Sequence, residues 1–303
     1  MRRSRQQKSR GPRESAPAGA PKGPATQAFA PSALHFTHGV DINTNLGEGF
    51  GHYKMPGESD LLPFVTSANV ACGAHAGDPA TMEAALEEVR QYGLALGAHI
   101  GYPDLQGFGR REIHLSSSEL RATILYQLGA LAGVARTMGL EVTQVRPHGF
   151  LYRQVSGDLR IATVVAKAVA EFDRWLILVG VAGPNLLAAG ERAGIRVAGE
   201  AWIDRAYDGH GTLLPHSHSR AVIKSPQEIL NQAHSLLTRG EVLAVDGARV
   251  RIDFQTIHLH AGLTNLLNTA EAVRNMIPHA CSLTSEPYSI GPAEESELAY
   301  SSS

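Results

Sequence analysis

The chain has 303 residues, a formal net charge of −2 and 43% hydrophobic residues. That near-neutral balance speaks against nucleic acid as the main partner, and no apolar run approaches the ~18 residues that a membrane span requires. Two cysteines, Cys72 and Cys281, show no CxxC or paired-finger spacing, so neither a disulfide framework nor a zinc ribbon is supported and a reducing, cytoplasmic setting is expected.

Residues 1–33 are rich in Arg, Lys, Pro, Gly, Ser and Ala and predict a disordered basic tail, since they hold too little apolar surface to offset the entropy of ordering. No apolar signal-peptide core follows the basic start. A flexible polar tail is predicted for 281–303, leaving 34–280 as one folded domain of a size that α/β barrels use as a single unit. Within it, strands are predicted at Gly39–Asn43, Phe64–Asn69, Leu94–His99, Glu141–Arg146, Trp175–Val181, Ile195–Glu200, Val242–Val245 and Gln255–His260. Helices fall between them. Pro79–Tyr92 places Met82, Ala85, Leu86 and Val89 on one face and stops at Gly93. Ser116 and Glu119 have capping-box spacing before a helix closed by Gly139, and Ser225, Pro226 and Glu228 repeat the device before a helix ended by Gly240. Such alternation argues for a parallel sheet, open or closed into a barrel.

In parallel α/β folds the working groups lie at the carboxyl ends of the strands. Here the candidate strands run into Asp41 and Asn43, His75, His99, His148, Glu200 and His260. The small-residue stretch Ser67–Asp78 lets backbone approach a ligand closely and leaves His75 free for chemistry; Asp78 reads either as a site acid or as the N-cap before Pro79. Alternation from Asp41 sends Asp41, Asn43 and Asn45 to one face, and Gly47 then turns the chain to present Glu48. The glycine-punctuated loop from Gly97 to Arg111 carries His99, Asp104, Arg110 and Arg111, a combination suited to holding a carboxylate or phosphate. Arg146–Tyr152 and Glu200–Tyr207 offer two more polar groups, in which Asp204 and Arg205 are also readable as a simple ion pair.

Through NxxLGEGFG, SANVACGAHAGDP, GAHIGYPDLQGFGRR, YQLGAL, RPHGFLY, EAWIDRAY and a closing strand with His260, the chain resembles the LamB/YcsF family, the A component of the bacterial ATP-dependent 5-oxoprolinase, over about Val40 to His260. The resemblance implies a single-domain, seven-stranded β/α (TIM-like) barrel of the glycoside hydrolase/deacetylase type. It also implies lactam hydrolysis, in which companion B and C subunits use ATP to activate the carbonyl of 5-oxoproline and the A component helps open the ring to glutamate. The chain itself has no GxxxxGK[ST] loop, which fits ATP acting through partner subunits.

Opening an unstrained lactam requires an electrophilic carbonyl, a positioned water with a general base, and a proton for the departing nitrogen. The catalytic candidates are Asp41, Asn43, Glu48, His75, His99 and His148, with Asp41, Glu48 and His75 as acid and base and His148 at the oxyanion. Substrate-binding candidates are Asn69, Asp104, Arg110, Arg146, Tyr152, Glu200, Asp204, Arg205 and His260, with Arg110 and Arg146 on a carboxylate or phosphate. Two alternatives stand beside this. One is a metal-dependent amide or ester hydrolase with a divalent ion on Asp41, His75 and His148 or His99; the other is a non-catalytic subunit or a member redirected to another lactam or acyl substrate. The second is motivated by departures from the family pattern: Asn45 for a usual Asp, Arg146 for Lys, Phe150 and Arg153 in place of a small residue and Asn, His216 near an expected Arg, and Ala261-Gly262 for Gly-Asp. A guanidinium at 146 closes a general-base role there.

Overall fold

The computed structural model describes residues 39–283; the expected N-terminal tail, and the C-terminal one from 284 onward, lie outside them. Strands β1 (Asp41–Leu46), β2 (Ser67–Ala71), β3 (Ala95–Ile100), β4 (Val142–Pro147), β5 (Ile177–Val181) and β6 (Arg196–Trp202) run parallel in chain order. After β6 the short strands β7 (Glu241–Leu243) and β8 (Arg249–Arg251) pair antiparallel outside the sheet, and β9 (Thr256–His258) returns between β6 and β1 to close a seven-stranded barrel. Around it lie α1 (Pro79–Tyr92), α2 (Ser117–Thr137), α3 (Gly149–Gly157), α4 (Leu159–Phe172), α5 (Pro184–Ala193), α6 (Pro226–Arg239) and α7 (Leu266–Met276).

Two strand expectations change. Val242–Val245 is not a barrel strand, because Gly247, at φ 89°, turns the chain straight back so that Ala244 N bonds Ala248 O; a parallel neighbour needs a crossover, not a tight turn. The second strand starts at Ser67 rather than Phe64, since Ser59–Phe64 forms a 3-10 helix that buries Leu61 and Leu62.

The helix ends follow local chemistry. Asp78 is the N-cap of α1, accepting from Ala80 N and Thr81 N, and Gly93 ends that helix at φ 64°. The same carboxylate accepts Gly51 N at 2.7 Å, tying the loop after β1 to the helix start; these backbone donors, Gly51 first, hold its pKa down at about 2. Asp78 therefore performs the capping role. Ser116 and Glu119 form the reciprocal capping box of α2, and Ser225 caps α6, which ends at Gly240.

Alternation divides the barrel into two environments. Outward residues such as Ile42, Val70, Ala98, Val145, Leu178 and Ile257 are fully buried against Leu86, Ile124, Leu128, Val165 and Leu236 of the helices. Inward residues are mostly polar: Asn43 Nδ2 donates to Glu200 and Thr256, Asn69 Nδ2 to Asn43, and Gln144 Nε2 to Asn69. Burial of so many polar groups is tolerable only because they satisfy one another. Gly97 makes room for this network, because a Cβ there would overlap Asn69 Oδ1 and Gln144 Cγ. On the β5–β6 side the interior turns apolar, with Ile177, Val179 and Ala198 packed together against Leu283.

Candidate active site

At the carboxyl ends of β1 to β4, one carboxylate oxygen gathers three imidazoles. Gly47, at φ 71°, turns the chain out of β1 and delivers Glu48; His75 lies in the loop before α1, His99 in β3, and His148 at the N-cap of α3. Glu48 Oε1 lies 3.3 Å from His75 Nε2, 3.4 Å from His99 Nε2 and 3.2 Å from His148 Nδ1. The His99 Nε2 and His148 Nδ1 atoms are themselves 3.0 Å apart, and the His75 and His148 rings stack with centroids at 3.9 Å.

Backbone carbonyls fix two of the ring tautomers. His99 Nδ1 meets Arg146 O at 3.0 Å and His148 Nε2 meets Phe108 O at 2.8 Å. A carbonyl only accepts, so each of those nitrogens carries the proton and the opposite nitrogen of each ring aims a lone pair at Glu48. Phe108 holds its carbonyl in place from a left-handed backbone at φ 53°, a strained geometry for a non-glycine residue, and its ring packs edge-on to His148 at 4.9 Å. Glycine is required next door: Gly109 has φ 62°, and a Cβ there would sit 2.8 Å from His75 Cβ and 2.9 Å from His148 Cδ2.

Burial, the largest influence, lowers His75 to about 4 and His99 to about 3, so both are neutral at pH 7. Burial works the other way on Glu48; hydrogen bonds from the surrounding imidazoles, His148 first, pull its carboxyl well below the usual range, which a ring does only when its facing nitrogen carries a proton. Behind it, Glu58 accepts Glu48 N, and burial followed by the Glu48 charge pushes Glu58 up to about 8. An ionised carboxylate and two inward lone pairs thus converge on one small volume. That arrangement repels itself unless a proton or a cation occupies the centre.

Below the cluster, Arg146 forms a bidentate pair with Glu200, Nε to Oε1 and Nη2 to Oε2 both at 2.7 Å, and its Nη1 donates to Asn45 at 3.3 Å. Tyr152 donates to Glu200 Oε2 at 2.6 Å and accepts from Trp202 Nε1 at 2.9 Å, while both aromatic rings flank the guanidinium. All three nitrogens of Arg146 are thereby engaged inside the protein. Arg146, Glu200 and Tyr152, expected to hold substrate, are thus bonded to one another in a buried network.

The remaining sequence candidates separate by depth. Asp41, expected beside His75 and His148, is the first residue of β1 and so lies at the amino end of the barrel; Thr256, Thr66 and Ser67 donate to it, and burial raises it to about 6. Its place in the cluster is taken by Glu48 and His99. Asn43 and Asn69 sit in the interior network, one level above Asp41. Asp104 is turned into its own loop, accepting from Gly107 N and from Arg111, and so organises the loop. At the mouth, Arg110 is exposed and lies over the Phe108 ring at 5.1 Å. Arg205 does not pair with Asp204; it spends its donors on Ala221 O, His216 and Leu214 O, clamping the excursion that follows β6. His258, absent from the sequence candidates, is fully buried in the interior, with Nδ1 on Asn43 Oδ1 at 2.8 Å and Nε2 without a partner. The alternation Ile257-His258-Leu259-His260 carries the signal, since it sends both histidines to the face shared by Thr256.

Comparison with known proteins gives the family of the chain. The LamB/YcsF family matches residues 40–289. The chain belongs to the LamB/YcsF family. It is 43% identical over 235 residues to the 5-oxoprolinase A subunit of Tolumonas auensis, covering 78% of this chain and 94% of that one. The corresponding protein of Methylococcus capsulatus, which bears the same name, is 47% identical over 221 residues, covering 73% and 85%. A solved structure, the lactam utilization protein from Thermus thermophilus, superposes with a TM-score of 0.74 at 39% identity, over 78% of this chain and 95% of that one. Four of the positions expected to depart from the family pattern contact one another in pairs. Asn45 accepts from Arg146, and Arg153 lies over the Phe150 ring at 5.0 Å.

Proposed function

We propose that this chain is the barrel component of an ATP-dependent lactam hydrolase, opening 5-oxoproline or a closely related cyclic amide with companion subunits that activate the carbonyl. The observation that carries the reading is the Glu48–His75–His99–His148 cluster at the barrel mouth of a chain whose relatives are named as the A subunit of 5-oxoprolinase. The buried imidazoles are neutral and present lone pairs that can take a proton, His75 and His99 as bases weakened by burial, and the Glu48 carboxylate stabilises positive charge as protons move. Ring opening then needs a water proton taken by an imidazole lone pair and a proton returned to the departing nitrogen. Asp204 and His260 stand just past the ends of β6 and β9, and Arg110 remains the cation at the mouth for a substrate carboxylate.

The same cluster fits a divalent metal. One Glu48 oxygen and one nitrogen from each of the three histidines lie within 4.8 Å of one another, with the Glu48 oxygen 3.2–3.4 Å from each nitrogen, a mixed nitrogen and oxygen donor set of the kind a divalent ion takes. His99 and His148 each present a lone pair inward with the other nitrogen on a backbone carbonyl, the usual outer support of a metal-bound imidazole. His75, His99, His148 and Glu48 would hold the ion, which when bound lowers the pKa of water and polarises the carbonyl. Asp41, placed at the far end of the barrel, takes no part.

Glutamate release from 5-oxoproline with ATP and the companion subunits tests the function, and metal content of the purified chain, measured by mass spectrometry, tests the centre. Activity that requires the partners and falls at least a hundredfold in His99→Ala, with near-stoichiometric metal lost in the same variant, is the expected result. A fully active His99→Ala protein refutes the site.

A further inference from the structure

Strands β6 and β9 pair in the register Glu200 with Thr256 and Trp202 with His258. Two residues past the ends of these strands stand Asp204, in the bend after Trp202, and His260, whose ring lies 6.5 Å from that of Trp202 and 6.3 Å from that of His258. The Asp204 side chain is buried, at 5% exposure, and its Oδ1 has no hydrogen-bond partner. Arg205 beside it is turned away onto Ala221, His216 and Leu214. His260 Nδ1 accepts from Gly262 N at 3.1 Å, which places the ring proton of the neutral imidazole on Nε2, free of any acceptor among the described residues. His258 and His260 both lie within reach of the Glu48 charge.

The buried Asp204 acceptor without a partner is costly in an empty wall, and together with the partly buried His260 N–H it is complementary to a particular ligand. The small ring of a lactam locks its amide cis, so that N–H and C=O lie on the same edge; a trans peptide or linear amide points them in opposite directions. We propose that Asp204 and His260 form the amide-recognition edge of the site, Asp204 accepting the ring N–H and His260 Nε2–H donating to the carbonyl oxygen of a secondary lactam. The assignment rests on the lactam reading above and adds the pair that reads the cis amide. Selectivity against linear amides follows from it, because a trans amide satisfies one partner and strands the other.

The test compares 5-oxoproline with its N-methyl derivative, by NMR titration of the full chain alone and with the companion subunits. Wild type is expected to bind 5-oxoproline at least tenfold tighter than the methylated compound. Asp204→Ala is expected to erase that ratio, and His260→Phe to weaken both ligands alike. Thermal melting supplies the second readout: an acceptor held unpaired for a ligand leaves the melting temperature of Asp204→Ala no lower than that of wild type. A tenfold ratio retained in Asp204→Ala, equal affinities in wild type, or an Asp204→Ala protein that melts well below wild type overturns the pairing and leaves the lactam reading standing. A wild type that binds neither compound in either setting refutes the lactam reading, and this assignment with it.

Discussion

Arg146→Met should be among the most destabilising single changes in this barrel. The Arg146 and Glu200 side chains are 3% and 0% exposed. Removing the guanidinium deletes two charge-assisted bonds to Glu200 and the bond to Asn45, leaving a buried carboxylate supported only by Tyr152 at 2.6 Å and Asn43 at 3.0 Å. An uncompensated buried charge of this kind costs about 3–5 kcal/mol. At about 2–4 °C per kcal/mol for a domain of this size, the melting temperature should fall by roughly 6–20 °C. Arg146→Met/Glu200→Met removes both charges and is expected to recover most of the loss, a coupling of at least about 2 kcal/mol in a double-mutant cycle. Urea denaturation at pH 7 of the wild type, the two single variants and the double variant measures it. A single-variant loss below about 1 kcal/mol, or a double variant equal to the sum of the singles, would show that Arg146 does not hold Glu200 and would return it to the substrate.

Asp41 gives a pH-dependent prediction. Its folded pKa of about 6 lies above the ordinary value of 3.8, because burial disfavours the carboxylate. The folded state therefore binds the proton more tightly, and this contribution is full below about pH 4 and lost as the pH rises through about 6. About two pH units correspond to ~3 kcal/mol. Stability measured at pH 4 and pH 7.5 should differ less in Asp41→Asn than in wild type by that order, and an unchanged difference would place the proton elsewhere. Gly97→Ala puts a methyl where Asn69 and Gln144 meet, and should cost about 1–3 kcal/mol in urea denaturation; a neutral effect would mean that the interior network is not close-packed.

The barrel, its capped helices and the strand ends that carry the histidines were legible in the sequence because they rest on local rules. Period-two alternation put Asp41, Asn43 and Asn45 on one face, Asp78 and Pro79 marked a helix start, and Gly47 marked the turn that delivers Glu48. Depth was not legible. Asp41 and His75 look equivalent in the one-dimensional pattern, yet Asp41 opens its strand and His75 follows one, which puts them at opposite ends of the barrel. What only the tertiary structure decided is which charges are already spent and which ring nitrogens are free. Arg146 finds Glu200 across 54 residues of chain, and His148 receives its tautomer from the carbonyl of Phe108, 40 residues away. Such pairings are set by barrel closure and register, properties of strands meeting in space, and no window of sequence contains both partners.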